Sequence, residues 1–329
     1  MESIFVTGGT GYLGSSLVAK LREEGEQVVI LARNPTLQGV SDPSVRMVQG
    51  DVLDLESLRR GMAGCDRVFH AAAHVRMWDP NPARFEAINV GGLRNILQAA
   101  EEGGVSRVVY TSSFIALGPT DGAIGDEDWQ PPGRTYYNEY ERTKAVADRL
   151  AREEAQRGAP LIIVYPGVVY GPGPVTAGNL VGKTVLDFLS RRLPGLLGDG
   201  DRRFCYALAS DVVMGHLQAM RHAKDGDRFI LGGENRTMLE LFAHLEKLTS
   251  LPAPKRKVPY WAAELVGRVQ RWRAQIVGIQ PEITDEVVRI YRHEWAYSSR
   301  KAQGALGYSI TPFARGLEDT VVFLRQGKS

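Results

Sequence analysis

Short apolar runs alternate with amphipathic stretches along the first half of the chain. Ile4-Phe5-Val6 and Gln27-Val-Val-Ile-Leu31 are continuous rather than alternating, which marks strands buried on both faces. Between them, residues 15–22 carry helical periodicity, and Gly25 stops the helix. Further strands are expected at Arg46–Gln49, Arg67–His70, Val108–Thr111 and Leu161–Tyr165, with helical stretches between them. Such alternation predicts an α/β fold, a doubly wound parallel sheet. After Gly171-Pro-Gly-Pro174 the pattern becomes irregular. Residues 1–174 are expected to form one domain, joined again by 206–232 through a helix near Asp211–Arg221 and a strand at Arg228–Leu231. Residues 175–205 and 233–329 are expected to form a smaller, partly helical lobe.

The turn after the first strand adds chemistry. Residues 8–14 read Gly-Gly-Thr-Gly-Tyr-Leu-Gly. Gly8 lets the chain turn sharply, Gly11 removes a side chain where backbone meets phosphate, and Gly14 allows close helix–strand packing. Free N–H groups at the helix start then face a dinucleotide pyrophosphate, the arrangement of a Rossmann-type domain. NAD-specific sites place a carboxylate at the end of the second strand. Here Leu31-Ala32-Arg33-Asn34 has none, and Arg33 suits the 2′-phosphate of NADP. NADP(H) is therefore expected, with NAD the alternative.

Tyr140 and Lys144 are four apart in a helical stretch from about Thr135 to Arg157, and so share a face. A phenol must come down by roughly two to three pKa units to act near neutrality, and a lysine ammonium one turn away, with the cofactor's positive ring, can supply this. The strand Arg107–Thr111 precedes that helix and ends in hydroxyl residues. Ser113, at the carboxyl edge where ligands sit, can donate to a carbonyl oxygen as charge develops.

With these motifs in place, the chain resembles an extended short-chain dehydrogenase/reductase. The matches run in order through Thr7–Gly14, Gly50-Asp51-Val52, His70–Ala73, Asn89-Val90-Gly91-Gly92, Tyr110–Ser113, Tyr140–Lys144 and Pro166–Pro172. Weaker ones follow at Arg203-Phe204, Asp211-Val212, Ser298–Ala302 and Leu306-Gly307-Tyr308. The chain is most similar to the dihydroflavonol 4-reductase-like and hopanoid-associated sugar-epimerase-like group. That resemblance implies Tyr140 as acid/base, Lys144 as its partner and ribose contact, and Ser113 as carbonyl orienter. It also implies cofactor contacts at Gly8, Thr10, Gly11, Tyr12, Leu13, Gly14, Arg33, Asp51, Val52, Ala71, Ala72, Ala73, Thr111, Pro166 and Val168. Cys205–Asp211 lacks the histidine and first aspartate of the family pattern, and Tyr165 stands where an arginine is common. The resemblance implies an NADPH-dependent reductase of a ketone or aldehyde, of dihydroflavonol or hydroxysteroid type; an NAD-dependent nucleotide-sugar epimerase or dehydratase is the alternative. Relatives dimerise through helices at Asn89–Glu102 and Tyr137–Gln156, so a homodimer is expected.

Candidate substrate contacts are Arg76, Trp78, Ile115, Tyr137, Asn179 and Arg203. The chain has 329 residues, 43% apolar, enough for a large core. A net charge of +2 gives no electrostatic case for nucleic acid. Cys65 and Cys205 stand alone and the histidines lack ligand spacing, so no metal is expected. No apolar run reaches a membrane span, and a strand beginning at residue 3 leaves no room for a leader, so a cytoplasmic location is expected. Lys255-Arg-Lys257 and the stretch Trp261–Arg273 are basic and aromatic. The expected reading is the solvated face of an amphipathic helix, without membrane contact.

Overall fold

The computed structural model describes residues 3–34 and 43–327. In chain order these build β1 (Ser3–Thr7), α1 (Tyr12–Glu23), β2 (Gln27–Ala32), β3 (Val45–Gln49), α2 (Leu55–Met62), β4 (Cys65–His70), α3 (Ala83–Glu86), α4 (Gly92–Glu102), β5 (Arg107–Thr111), α5 (Glu139–Gln156), β6 (Leu161–Pro166) and β7 (Val168–Tyr170). There follow α6 (Leu180–Leu189), β8 (Leu196–Leu197), β9 (Arg203–Leu208), α7 (Ala209–His222), β10 (Arg228–Leu231), β11 (Asn235–Thr237), α8 (Met238–Thr249), β12 (Lys257–Val258), α9 (Tyr260–Val277), α10 (Asp285–Ile290), α11 (Arg300–Leu306) and α12 (Phe313–Arg325). The expected outer bounds, residues 1–2 and 328–329, lie outside the described residues.

Seven parallel strands form the central sheet in the order β10-β6-β5-β4-β1-β2-β3. The alternation of apolar runs and helices thus gives the doubly wound sheet it predicts. Successive residues of β1 enter different cores: Ile4 and Val6 pack with Leu17 and Leu217, and Phe5 packs with Leu58 and Met62. Burial on both faces explains why this strand reads as an unbroken apolar run. Strand order reverses between β1 and β4, which opens a crevice at their carboxyl ends.

A second, three-stranded sheet pairs β9 with β7 in parallel and with β11 in antiparallel. From β9 the chain passes through α7 to β10 at the edge of the central sheet. The helix expected from Thr135 begins only at Glu139. Asn138 is extended, at φ −148°, and its Oδ1 accepts from the Glu141 N–H at 2.8 Å, so the cap sets the start. Among the described residues, no helix is long and apolar enough to cross a membrane.

Candidate active site

The glycine turn is sterically obligatory. Gly8 lies at φ +75°, and a Cβ there would fall 2.6 Å from the Ala71 carbonyl carbon and the Ala72 nitrogen. A Cβ on Gly14 would fall 2.0 Å from the Gly8 carbonyl oxygen. Gly11 caps α1 with no side chain, and the first turn holds no carboxylate. No carbonyl inside α1 can reach the N–H groups of Tyr12, Leu13 and Gly14. Thr10 and Gly11, just ahead of these donors, are exposed, so the turn itself faces solvent at the positive end of a helix. The cradle fits a dinucleotide diphosphate. Tyr12 is buried, and its hydroxyl donates to the Gly171 carbonyl at 3.0 Å, fastening α1 to the chain beyond β7. Gly14→Ala must therefore shift backbone, not a side chain. We expect a loss of roughly 1–3 kcal/mol of stability and about a tenfold weaker dinucleotide affinity. Thermal melts and fluorescence titration measure both; an unshifted melt would show that the turn yields freely.

Around the crevice, Arg33 stands exposed just past β2. Asp51 follows β3 and its Oδ1 accepts from the Leu53 N–H at 3.0 Å, while Val52 is buried. Ala71, Ala72 and Ala73 continue half-buried from β4, and the Ala71 N–H donates to the Thr7 carbonyl at 3.1 Å. Pro166 ends β6, buried, and Val168 opens β7, half-buried.

Ser113 begins the 3-10 turn Phe114–Ala116, which packs on α5. Its Oγ accepts weakly from the Ile115 N–H at 3.4 Å. From α5, Tyr140 brings its hydroxyl to Ser113. Burial pushes the Tyr140 phenol up to about 12, against the opposing pull of the Ser113 hydrogen bond. One turn on, Lys144 is buried; its Nζ donates to the Thr111 carbonyl at 2.9 Å and the Tyr110 hydroxyl at 3.4 Å. Burial draws its ammonium down to about 7, opposed by the carboxylate of Asp148. Ser113, Tyr140 and Lys144 are thus brought together, but burial raises the phenol where Lys144 was expected to lower it, so it holds its proton at neutral pH. Thr111 is committed internally. His216 Nδ1 donates to the Val212 carbonyl at 2.8 Å, so its Nε2 accepts from the Thr111 hydroxyl at 2.9 Å.

The expected substrate contacts divide. Arg76 is exposed and Trp78 half-buried beyond β4, and Ile115 is buried next to Ser113's turn. The Tyr137 hydroxyl meets His293 Nε2 at 2.8 Å, and His293 Nδ1 donates to Asp121 at 2.8 Å. This chain lines a cavity of about 480 Å³ walled by Pro119, Trp129 and Arg134. Arg134 ties the cavity to the Ser113 segment, donating to the Ile115 and Ala116 carbonyls at 3.1 and 2.6 Å. Two other contacts are spent inside the protein. Asn179 is fully buried and caps α6, accepting from the Gly182 N–H at 2.9 Å. Arg203 grips Glu294 through Nε and an Nη, both at 2.8 Å.

Several residues of the matched motifs have supporting roles that the sequence did not assign. Asn89, in the π-helical turn Ala87–Gly91, donates to Thr143 Oγ1 at 3.0 Å and accepts from the His74 N–H at 2.8 Å. Thr7 Oγ1 meets His70 Nδ1 at 2.7 Å; His70 stacks on Tyr110 and burial drives its pKa down to about 3. Glu141 is buried, accepts from the Tyr137 N–H at 3.0 Å, and burial pushes its carboxyl up to about 7.

An anion-ready turn opening beside a buried tyrosine–lysine pair defines a dinucleotide-dependent enzyme. Residues 4–232 match the profile of the NAD dependent epimerase/dehydratase family, and the chain belongs to that family within the extended short-chain dehydrogenases/reductases. It is 35% identical over 326 residues to a Synechocystis protein provisionally named dihydroflavonol 4-reductase, covering 97% of this chain and 94% of that one. It is also 35% identical over 255 residues to sterol demethylase protein B of Methylococcus capsulatus, covering 77% and 76%. The solved structure of MoeE5 in complex with UDP-glucose and NAD aligns at a TM-score of 0.76 and 26% identity, covering 99% and 100%.

Proposed function

We propose that this enzyme is an NADPH-dependent carbonyl reductase acting on a ketone or aldehyde with an apolar body. When bound, the reduced nicotinamide supplies a hydride to the carbonyl carbon. Ser113 donates a hydrogen bond to the carbonyl oxygen, and Tyr140 gives that oxygen its proton, which solvent later restores. Lys144 stabilises the phenolate left behind, and the open N–H groups of α1 hold the diphosphate.

The Arg203–Glu294 pair carries this reading over a sugar-nucleotide one. In a sugar-nucleotide reading Arg203 would meet the diphosphate, and here both its facing nitrogens are taken by one carboxylate. Arg33, in the place of the usual carboxylate, supports NADP over NAD. The relatives named as a dihydroflavonol reductase and a sterol-processing protein support a flat, apolar substrate. The second reading, an NAD-dependent nucleotide-sugar epimerase, is favoured by the likeness to MoeE5 with its UDP-glucose and NAD.

One experiment separates them. The purified protein is dialysed and denatured, and any released nucleotide is identified by mass spectrometry. Protein free of nucleotide that then binds NADPH more tightly than NADH supports the reductase; stoichiometric NAD overturns it. Within the same titration, Arg33→Ala should raise the NADPH dissociation constant about tenfold and leave NADH unchanged. Equal loss for both cofactors would remove Arg33 from the argument.

A further inference from the structure

Helix α9 turns its apolar side outward. At about 100° per residue, Trp261, Leu265, Val269, Trp272 and Ile276 form one stripe roughly 80° wide. Each is between 56% and 69% exposed. The opposite side is Ala263, Gly267 and Ala274, all buried. These small residues let α9 lie close against the chain entering α10: a Cβ on Gly267 would fall 2.3 Å from the Asp285 nitrogen. Arg271 reaches inward and locks the contact on Asp285 at 2.9 Å. The large apolar side chains are thus not what seats the helix. Ile279, past the left-handed cap Gly278, extends the same exposed surface.

Cations dominate this face. Arg268 and Arg273 flank the stripe, and Lys255, Arg256 and Lys257 lie exposed just ahead of the helix, Lys257 paired with Asp199 at 2.8 Å and Arg268 3.8 Å from Glu264. The single acid of α9, Glu264, points inward and is held by Arg292 at 2.8 Å. We infer that the outward face of α9 docks on the surface of an anionic lipid bilayer. The tryptophans and aliphatic side chains enter the headgroup boundary while the cations meet lipid phosphates. A second copy of the chain fits poorly. Two such faces packed about a twofold axis would bring the Arg268 and Arg273 cations of both copies to one seam, where the single acid of α9, Glu264, is already shared with Arg292. The face expected to be solvated is exposed, and it carries large apolar side chains as well as cations.

The test is co-sedimentation of the full-length protein with vesicles of mixed phosphatidylglycerol and phosphatidylcholine, against phosphatidylcholine alone. Wild type should pellet with the anionic vesicles, less at high salt, and far less with neutral ones. Trp261→Ser with Trp272→Ser should lower the partition coefficient about tenfold or more, with an unchanged circular-dichroism melt because both side chains are exposed. Lys255→Glu with Arg273→Glu should abolish the preference for anionic lipid. Failure of wild type to pellet, or unchanged partition in the tryptophan pair variant, overturns the inference. So does a wild-type dimer in ultracentrifugation that the tryptophan variant dissolves without any lipid binding; the face would then belong to a second copy.

Discussion

Tyr140→Phe is expected to lower kcat for carbonyl reduction by about three orders of magnitude or more, while NADPH affinity stays within about twofold. The substitution removes one oxygen and keeps the ring that fills the space over α5. The hydroxyl's partner, Ser113, is itself buried and keeps its contact with the Ile115 N–H at 3.4 Å. What disappears is the proton source. The phenol keeps its proton up to about 12, so in wild type it is a loaded donor throughout the neutral range. Solvent would have to replace it in a site where Tyr140 and Ser113 are both less than a tenth exposed. Steady-state kinetics with a ketone panel, beside a fluorescence titration with NADPH, measures both parts. Turnover above about a tenth of wild type would mean that another group delivers the proton.

Much of this site was legible because its signals are local. The strand, the glycines and α1 follow one another within the first residues, and Tyr140 and Lys144 lie one turn apart on one helix. What was not legible depends on distant partners or on which way an element faces. Arg203 was a candidate substrate contact; its partner Glu294 is 91 positions away, and no spacing rule pairs them. Asn179 looked like a contact, but its side chain closes the first turn of α6. The helix bearing Tyr140 starts late because Asn138 prefers to cap rather than continue it. Helix α9 teaches the sharper lesson. Its apolar stripe has the period of a helix face, and periodicity alone assigns such a face to the core. The seat is instead built from Ala263, Gly267 and Ala274, whose value is closeness of approach rather than apolar area.

Lys144→Met should separate catalysis from stability through pH. In the folded enzyme the ammonium titrates at about 7, and in the unfolded chain near ~10.4. Between those values the unfolded chain holds a proton that the folded one lacks, so this group makes wild-type stability rise with pH. The slope is at most about 1.4 kcal/mol per pH unit, and methionine has none. Below about pH 7 both states are protonated, and the folded state bears a charge in a site where burial disfavours it. Wild type should therefore gain on Lys144→Met by roughly 2–3 kcal/mol between about pH 6.5 and pH 9, read from urea unfolding curves. Glu141 also titrates at about 7, with the opposite sign, but it is present in both proteins and cancels. At about pH 6.5, where Lys144 is mostly charged, turnover should fall about a hundredfold or more, because the phenolate of Tyr140 loses its cationic neighbour while the phenol itself stays in place. Parallel stability curves in the two proteins would place the Lys144 titration outside this window. The nitrogen would then be a charged group held by the Thr111 carbonyl at all working pH values.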